Sequence, residues 1–504
     1  MKIGKFRLSG WLTLAVVATV GGAMVATDPA FALTNADKFT LGMEGRLRYE
    51  VRVGTTFGAT AANASDASHR IRVTAGYDLT PDVALFAQLQ DARFYGSEVS
   101  PTATDGATGA LSSSNTNGTG LDLHQGYIQV KNLLVPGLSL KLGRQEITFG
   151  DHRLLGNYYW SQVGQSFDGV RLTLAGPDAD KEMKECKCPT ALDLFWARVL
   201  ESEFGTSAAT PATGSQKGVV FPSSGTRSTL DQDLYGAYLT LRMAPKWTIE
   251  PYYFLLKDNR IAGTTVLTTP QASNQTRSTV GGRLAGKGGG LDLTLEAAYQ
   301  FGRIASGLTG GNTRDLHINA HAEAAKIGFT FKPVPFQPRL GFEFNYASGD
   351  GGNAAGGRNS GNFNTFDNLY PTNHVHYGYM DLMAWRNMVN YQAVFDIKPS
   401  PVSKFQVNFI VHRLASTKDH WYRSQGQVYG VSGVGNAAAS LGQELNAHYA
   451  HTFKDKFRFE LGYGHFFAGE YIEKARRFGT ATVGGVRPGG ADQDWWYGMA
   501  SVLF

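Results

Sequence analysis

Long apolar runs are missing from this sequence beyond its N-terminal segment. No later stretch strings together the about 18 apolar residues that a membrane-crossing helix needs, so no transmembrane helix is expected in the mature chain. Cysteine is almost missing as well. Cys186 and Cys188 stand as C-K-C within GPDADKEMKECKCPT, with no second pair and no histidine nearby. A zinc site is therefore not expected; a strained disulfide and two free thiols both remain open, and the pair is assigned no function. A surplus of one charge is also lacking. Without Lys2, Lys5, Arg7 and Asp28, which belong to the leader described below, 44 of the 47 basic and 41 of the 42 acidic residues remain. That near balance argues against a nucleic-acid partner, which calls for a basic face. Aromatic content of 12% with only 18% charge excludes a disordered chain.

Catalytic signatures are absent too. His152, His374, His376, His412, His448, His451 and His465 offer bases, and Asp151 or Asp350 could orient one. No nucleophile elbow or HExxH motif accompanies them, so no enzyme, catalytic residue, metal or cofactor is expected. SGDGGNAAGGRNSGNFN (Ser348 to Asn364) holds one acid, Asp350, too few for a calcium loop. Its composition fits a flexible loop able to gate a pore.

What is present begins with a leader. Lys2, Lys5 and Arg7 precede an apolar Trp11 to Val25 stretch, and Ala30-Phe31-Ala32 ends it as a cleavage signal. Residues 1–32 read as a secretory signal peptide and 33–504 as one mature domain. Within that domain the stretch LGMEGRLRYEVRV, Leu41 to Val53, alternates apolar residues with three arginines and two glutamates. A period of two marks a strand, whose successive side chains leave opposite faces. The pattern recurs at Arg70 to Leu79, Leu291 to Phe301, Arg339 to Tyr346 and Phe457 to Gly464. His317 to Phe331 changes parity midway, which predicts a bulge.

Connections alternate between tight turns, such as Thr80-Pro81-Asp82, Ala244-Pro245-Lys246 and Lys454-Asp455-Lys456, and long Gly/Ser/Asn-rich loops. About eighteen strands result, with short turns at one end and long loops at the other. The fold class expected is all-β, a transmembrane antiparallel barrel with short periplasmic turns and long extracellular loops in the bacterial outer membrane. Lipid accepts the apolar face and a watery lumen the charged one, and closure removes edges that lipid cannot hydrate. The C-terminal DQDWWYGMASVLF ends on an aromatic, Phe504, as a strand inserted by barrel assembly would.

Strand parity turns Glu44, Arg46, Arg48, Glu50, Arg52, Arg70, Arg72, Arg171, Arg283, Arg339 and Arg458 inward, with Glu296, Glu343 and Glu460. Facing lipid instead, each arginine would cost about 2–4 kcal/mol near the bilayer midplane. Two uses of these charges stay open. Arginines and acids could pair across the lumen and brace it, or surplus arginines could form an electropositive constriction for anions.

The run LGRQEITFGDHRLLGNYYWSQVGQSFDGVRL (Leu142 to Leu172) resembles the alginate export family of outer-membrane barrels. So do YASGD at Tyr346 to Asp350, FDNLYPTNHVHYGYMD at Phe366 to Asp381, WRN at Trp385 to Asn387 and GYGHFFAGEYI at Gly462 to Ile472. The resemblance implies an eighteen-stranded monomer passing a polyuronate through an arginine-rich pore tuned by acids. By position it places Arg144 and Gln145 in the GRQ motif, and Arg153, Asp168 and Arg171 in the strand-loop-strand unit that follows. Arg46, Arg48 and Arg72 fall in strands where the family has basic pore residues. The expected partners are outer-membrane lipid, an anionic polysaccharide such as alginate or a small anionic solute, and periplasmic export proteins. A diffusion porin for small anions or other small polar solutes is the alternative.

Overall fold

A computed structural model describes residues 38–55, 57, 63–95, 121–176, 190–200, 231–259, 274–305, 315–351, 361–424, 426, 428–430, 438–474 and 492–504. The signal peptide, Cys186 and Cys188, and the centre of the Gly/Asn-rich segment at 352–360 lie outside the described residues.

The strands in chain order are β1 (Phe39–Val53), β2 (Ala64–Thr80), β3 (Val83–Tyr95), β4 (Leu121–Val130), β5 (Leu138–Gln145), β6 (Phe167–Ala175) and β7 (Thr190–Leu200). They continue as β8 (Gln232–Ala244), β9 (Trp247–Asp258), β10 (Gln275–Gly288), β11 (Leu291–Ala305), β12 (Asp315–Thr330), β13 (Arg339–Ala347) and β14 (Asn362–Phe363). The last are β15 (Met388–Ser400), β16 (Ser403–Arg413), β17 (Trp421–Tyr422), β18 (Val428–Gly430), β19 (Ser440–Phe453), β20 (Phe457–Ala468) and β21 (Gln493–Leu503), with one short helix, α1 (Glu470–Lys474), before β21. Strands β17 and β18 pair with each other inside a loop, and β14 adds two residues parallel to β12. The other eighteen form an antiparallel barrel of sequential neighbours. It closes where β1 pairs β21 from Glu44↔Leu503 to Val53↔Asp494. Phe504 extends the seam, exchanging backbone hydrogen bonds with Met43 at 2.9 and 3.0 Å.

Turn chemistry fits the tight end. Gly289 and Gly290 take φ of 60° and 99°, the left-handed pair that a two-residue hairpin turn demands. The lipid face is apolar: Leu47, Tyr49, Ile71, Val73, Leu295, Tyr299, Phe342, Phe459 and Leu461 are exposed. Their neighbours Arg46, Arg48, Arg70, Arg72, Glu296, Glu343 and Glu460 are buried on the inner face.

The expected bulge in β12 is absent. Pairing with β11 runs unbroken from Leu291↔Phe329 to Ala305↔Asp315. What changes along β12 is the surroundings. Towards the loop end Leu316, Ile318, Ala320, Ala322 and Ala324 point inward and are buried, while His317 and His321 face out. The lumen is packed with protein there, and on the outer face His321, Asn319 and His317 take the place of Phe329 and Ile327. A parity change in sequence therefore marks a change in the residues that line each face of a regular strand.

Candidate functional site

Two connections that sequence patterning leaves as solvated loops turn into the barrel. Residues 146–166 and 364–387 run side by side in the lumen. Tyr370 donates its backbone N–H to the Leu154 carbonyl at 2.9 Å, Gly156 returns one to Tyr370 at 2.9 Å, and Thr372 donates to His152 at 2.8 Å. Their apolar content explains the inward turn. Leu154, Leu155, Phe366, Met380, Leu382, Met383 and Trp385 are all buried, and burying such side chains contributes roughly 1.5–3 kcal/mol each. Phe149 stacks on Tyr238 at 4.4 Å between ring centres, and Trp160 on His374 at 3.9 Å.

The first of these segments meets the arginine wall of β1 and β2. Arg46 donates to the Tyr159 carbonyl at 2.9 Å, Arg48 to the Trp160 carbonyl at 2.6 Å, and Arg70 to the Ser161 carbonyl at 3.1 Å. Arg52 reaches the Met380 carbonyl at 3.0 Å on the second segment. The guanidinium carbons of Arg46 and Arg70 lie 4.2 and 4.5 Å from the Tyr159 ring centre, and that of Arg48 lies 4.1 Å from Trp160. Each arginine also meets a carboxylate. Glu44 takes Arg46 (3.5 Å) and Arg70; Glu50 takes Arg48 (2.6 Å) and Arg52 (3.2 Å); Glu146 takes Arg72 at 3.7 Å. Asp66 stands opposite Glu50 on the same wall, and neutral oxygens of Tyr159, Trp160, Ser161, Met380 and Gln90 accept from these arginines as well.

Across the lumen Arg153 donates to Glu343 at 2.6 Å, Asn345 at 2.9 Å and the Tyr377 hydroxyl at 3.0 Å. Arg283 bonds Glu250 at 2.8 Å and Asp151 at 2.5 Å. Burial alone would raise the Asp151 carboxyl, but Arg283, Lys326 and Arg153 hold it far below the usual carboxylate range. His376 responds in the other sense. Burial first, then Arg153, pushes its ring down to about 3, so it stays neutral and hydrogen-bonds the Asp151 carbonyl at 2.6 Å.

Nearer the tight turns, Arg339 bridges Asp292 at 2.6 Å and Asp396 at 3.2 Å. Arg171 pairs with Asp193 at 2.8 Å, and Arg458 with Glu460 at 2.5 Å. Arg46, Arg48, Arg52, Arg70, Arg72, Arg153, Arg171, Arg283, Arg339, Glu343, Arg458 and Glu460 accordingly lie inside the barrel.

Arg144 and Asp168 do not lie there, which corrects their expected place along the pore. They are register partners on the face that carries Leu142 and Leu174, and Asp168 is 53% exposed at 3.5 Å from Arg144. Phe167, on the opposite face of β6, is the residue buried in the lumen. The GRQ motif pointed to Arg144; strand parity, applied to Leu142 and Leu174, would have turned it outward.

Sequence reading also missed Glu146, Glu250, Asp292 and Asp396, the acids that match the arginines. Asp292 and Glu250 occupy inward parity positions and could have been found. Tyr159 and Trp160 carried only a compositional signal, the unusual YYW within a loop.

A sequence model of the alginate export family matches residues 37–483. The chain belongs to that family. No curated protein matches it at a significant level. Solved barrels of the same fold are similar at low identity. Pseudomonas aeruginosa OpdK, solved with vanillate, has a TM-score of 0.52 at 11% identity over 93% of this chain and 98% of that one. Acinetobacter baumannii OccAB1 gives 0.52 at 12% identity over 95% and 99%, and P. aeruginosa OpdL gives 0.52 at 11% over 92% and 98%. This alginate export family barrel is a channel of the bacterial outer membrane and not an enzyme.

Proposed function

We propose that the channel passes carboxylate-bearing solutes, first among them an acidic polysaccharide of the uronate kind, along the arginine wall of β1 and β2. The observation that carries this reading is that neutral carbonyl oxygens, not carboxylates alone, hold the arginine donors of that wall. Arg46, Arg48, Arg52, Arg70 and Arg72 pair with Glu44, Glu50 and Glu146, with Asp66 and Asp381 close to Arg48, and carbonyl oxygens of Tyr159, Trp160 and Ser161 take up donors of three of these arginines. A carboxylate is the better acceptor for a planar guanidinium fork. Tyr159 and Trp160 add ring faces suited to the apolar side of a sugar.

A second reading, a porin for small anions, draws support from the same contacts. The 146–166 segment rests on the arginines, and a small anion would displace less of it than a polymer strand. In both readings the channel is a monomer, and a polymer would need a periplasmic partner to move it.

The test is ion selectivity in planar bilayers for the protein and an Arg48→Gln/Arg70→Gln variant, with oligouronates added. Anion preference that weakens in the variant, together with oligouronate block, supports the polyuronate channel. Anion preference without block selects the small-solute porin, and cation preference overturns both.

A further inference from the structure

The barrel wall is low at β5 and β6, which have 8 and 9 residues against 15, 17 and 13 in β1, β2 and β3. At about 3.3 Å per residue and a tilt of about 40°, such strands rise roughly 20–23 Å, short of an apolar band about 25 Å tall. Charge stands at their loop ends, on the outer face. Arg144 and Asp168 are register partners there at 3.5 Å, and the row continues to Arg198 and Asp233, 2.7 Å apart. Asp168 is 53% exposed, and residues 146–166 turn into the lumen rather than over it. Strand β13 is as short, with 9 residues, yet its outer face carries Leu340, Phe342, Phe344 and Tyr346. A short strand alone therefore does not put charge outside.

One flank of the Arg144–Asp168 pair is hollow and the other is bulky. Ala75, Ala87 and Gly126 are register neighbours on the outer face, running across β2, β3 and β4 towards Arg144. They line a depression of about 370 Å³, with Tyr77, Ile128 and Leu142 around it. On the other flank Trp196 and Tyr235 are register partners on the face of Arg198 and Asp233, and the Trp196 indole donates to Asp233 at 3.1 Å. This arrangement is self-complementary. Turned by a two-fold axis along the membrane normal, a second barrel presents its Asp168 to Arg144, its Arg144 to Asp168, and its bulky flank to the hollow one.

We propose that the β4–β7 face is a contact surface for a second copy of this chain, so that two complete channels pair side by side in the membrane. Association is one way in which a wall too short for the bilayer is accommodated. Arg144 and Asp168 of each copy then face opposite charge in place of lipid, which penalises them. Each copy keeps its own lumen, so the conducting unit remains the single chain described above. The inference is independent of which solute passes.

In the experiment the full mature chain is reconstituted in vesicles of zwitterionic lipid and its copy number is read by native mass spectrometry. The conductance of each variant reports that its barrel is intact. Two copies are expected for the unaltered protein. Arg144→Asp and Asp168→Arg, each alone, set like charges against like, and the pair should dissociate at least about tenfold more readily. Mixed one to one, the two variants should pair with each other, although neither restores the contact within its own chain. That mixture separates attraction between copies from repair of the fold. Ala87→Trp, which fills the depression, should also weaken the pair. A single copy of the unaltered protein overturns the proposal, as do three or more copies, a pair indifferent to these substitutions, or a mixture that fails to pair.

Discussion

The two ends of the lumen use charge in opposite ways. At the loop end and through the middle, guanidinium and carboxylate groups are buried, paired and held under aromatic rings. Arg153 and Glu343 are each below 6% side-chain exposure at 2.6 Å. At the tight-turn mouth lysines stand in water around two committed aspartates. Buried charges must be matched, because removing one partner strands the other in a poor solvent. Solvated charges such as those of Lys246, Lys332 and Lys398 need no buried partner. Burial makes the arginine wall a brace of the barrel as well as the proposed path of the solute.

The contrast can be broken hardest at Arg153. An Arg153→Met change leaves Glu343, Glu296 and Asp151 without their shared cation. A loss of about 3–5 kcal/mol is expected, read as the shift of the urea unfolding curve in detergent. Partial recovery in Arg153→Lys would tie the loss to charge, whereas equal loss in both would assign it to packing. Trp160→Ala is the next largest. It removes the ring against His374 and Arg48, with about 3 kcal/mol lost and a rise in single-channel conductance as the 146–166 segment loosens. Unchanged conductance would show that this segment does not limit the channel.

Acidification probes the same buried region. His376 has its pKa pushed down to about 3 in the barrel, against about 6.5 when unfolded. Between those values the unfolded chain binds a proton that the folded ring refuses, so stability falls as pH drops. Asp151 acts in the same sense, since its lowered pKa contributes stability above the unfolded carboxyl value that is lost as acid protonates it. Melting temperature should decline from pH 6.5 to pH 4, less steeply in His376→Gln; a flat profile would remove these groups from the account. The smallest effect belongs to the mouth. Lys332→Gln with Lys398→Gln should change stability by no more than about 0.5 kcal/mol. A larger loss would mean that those lysines brace the barrel as the buried arginines do.

Much of this architecture was legible in the alternation itself. Arg46, Arg48, Arg52, Arg70 and Arg72 sit where a period of two places them, because lipid on one side penalises any other register. Arg144 turns outward because parity, which Leu142 and Leu174 reveal, governs its position more strongly than the GRQ motif does. The expected β12 bulge fails for a related reason: sequence parity tracks what lies on each face rather than backbone geometry. Asp151 and His376 could not be placed from sequence, since their surroundings come from strands far away in the chain, Arg283 on β10 and Glu343 on β13.

By itself the sequence determined the barrel, its strand number and its apolar exterior. These follow from local period and turn chemistry under one uniform constraint, the bilayer. The tertiary structure alone decided which carboxylate meets which arginine, that residues 146–166 and 364–387 fill the lumen, and that lysines from four separate connections gather at one mouth. Those are contacts between residues remote in sequence, and only ring closure brings them within reach of one another.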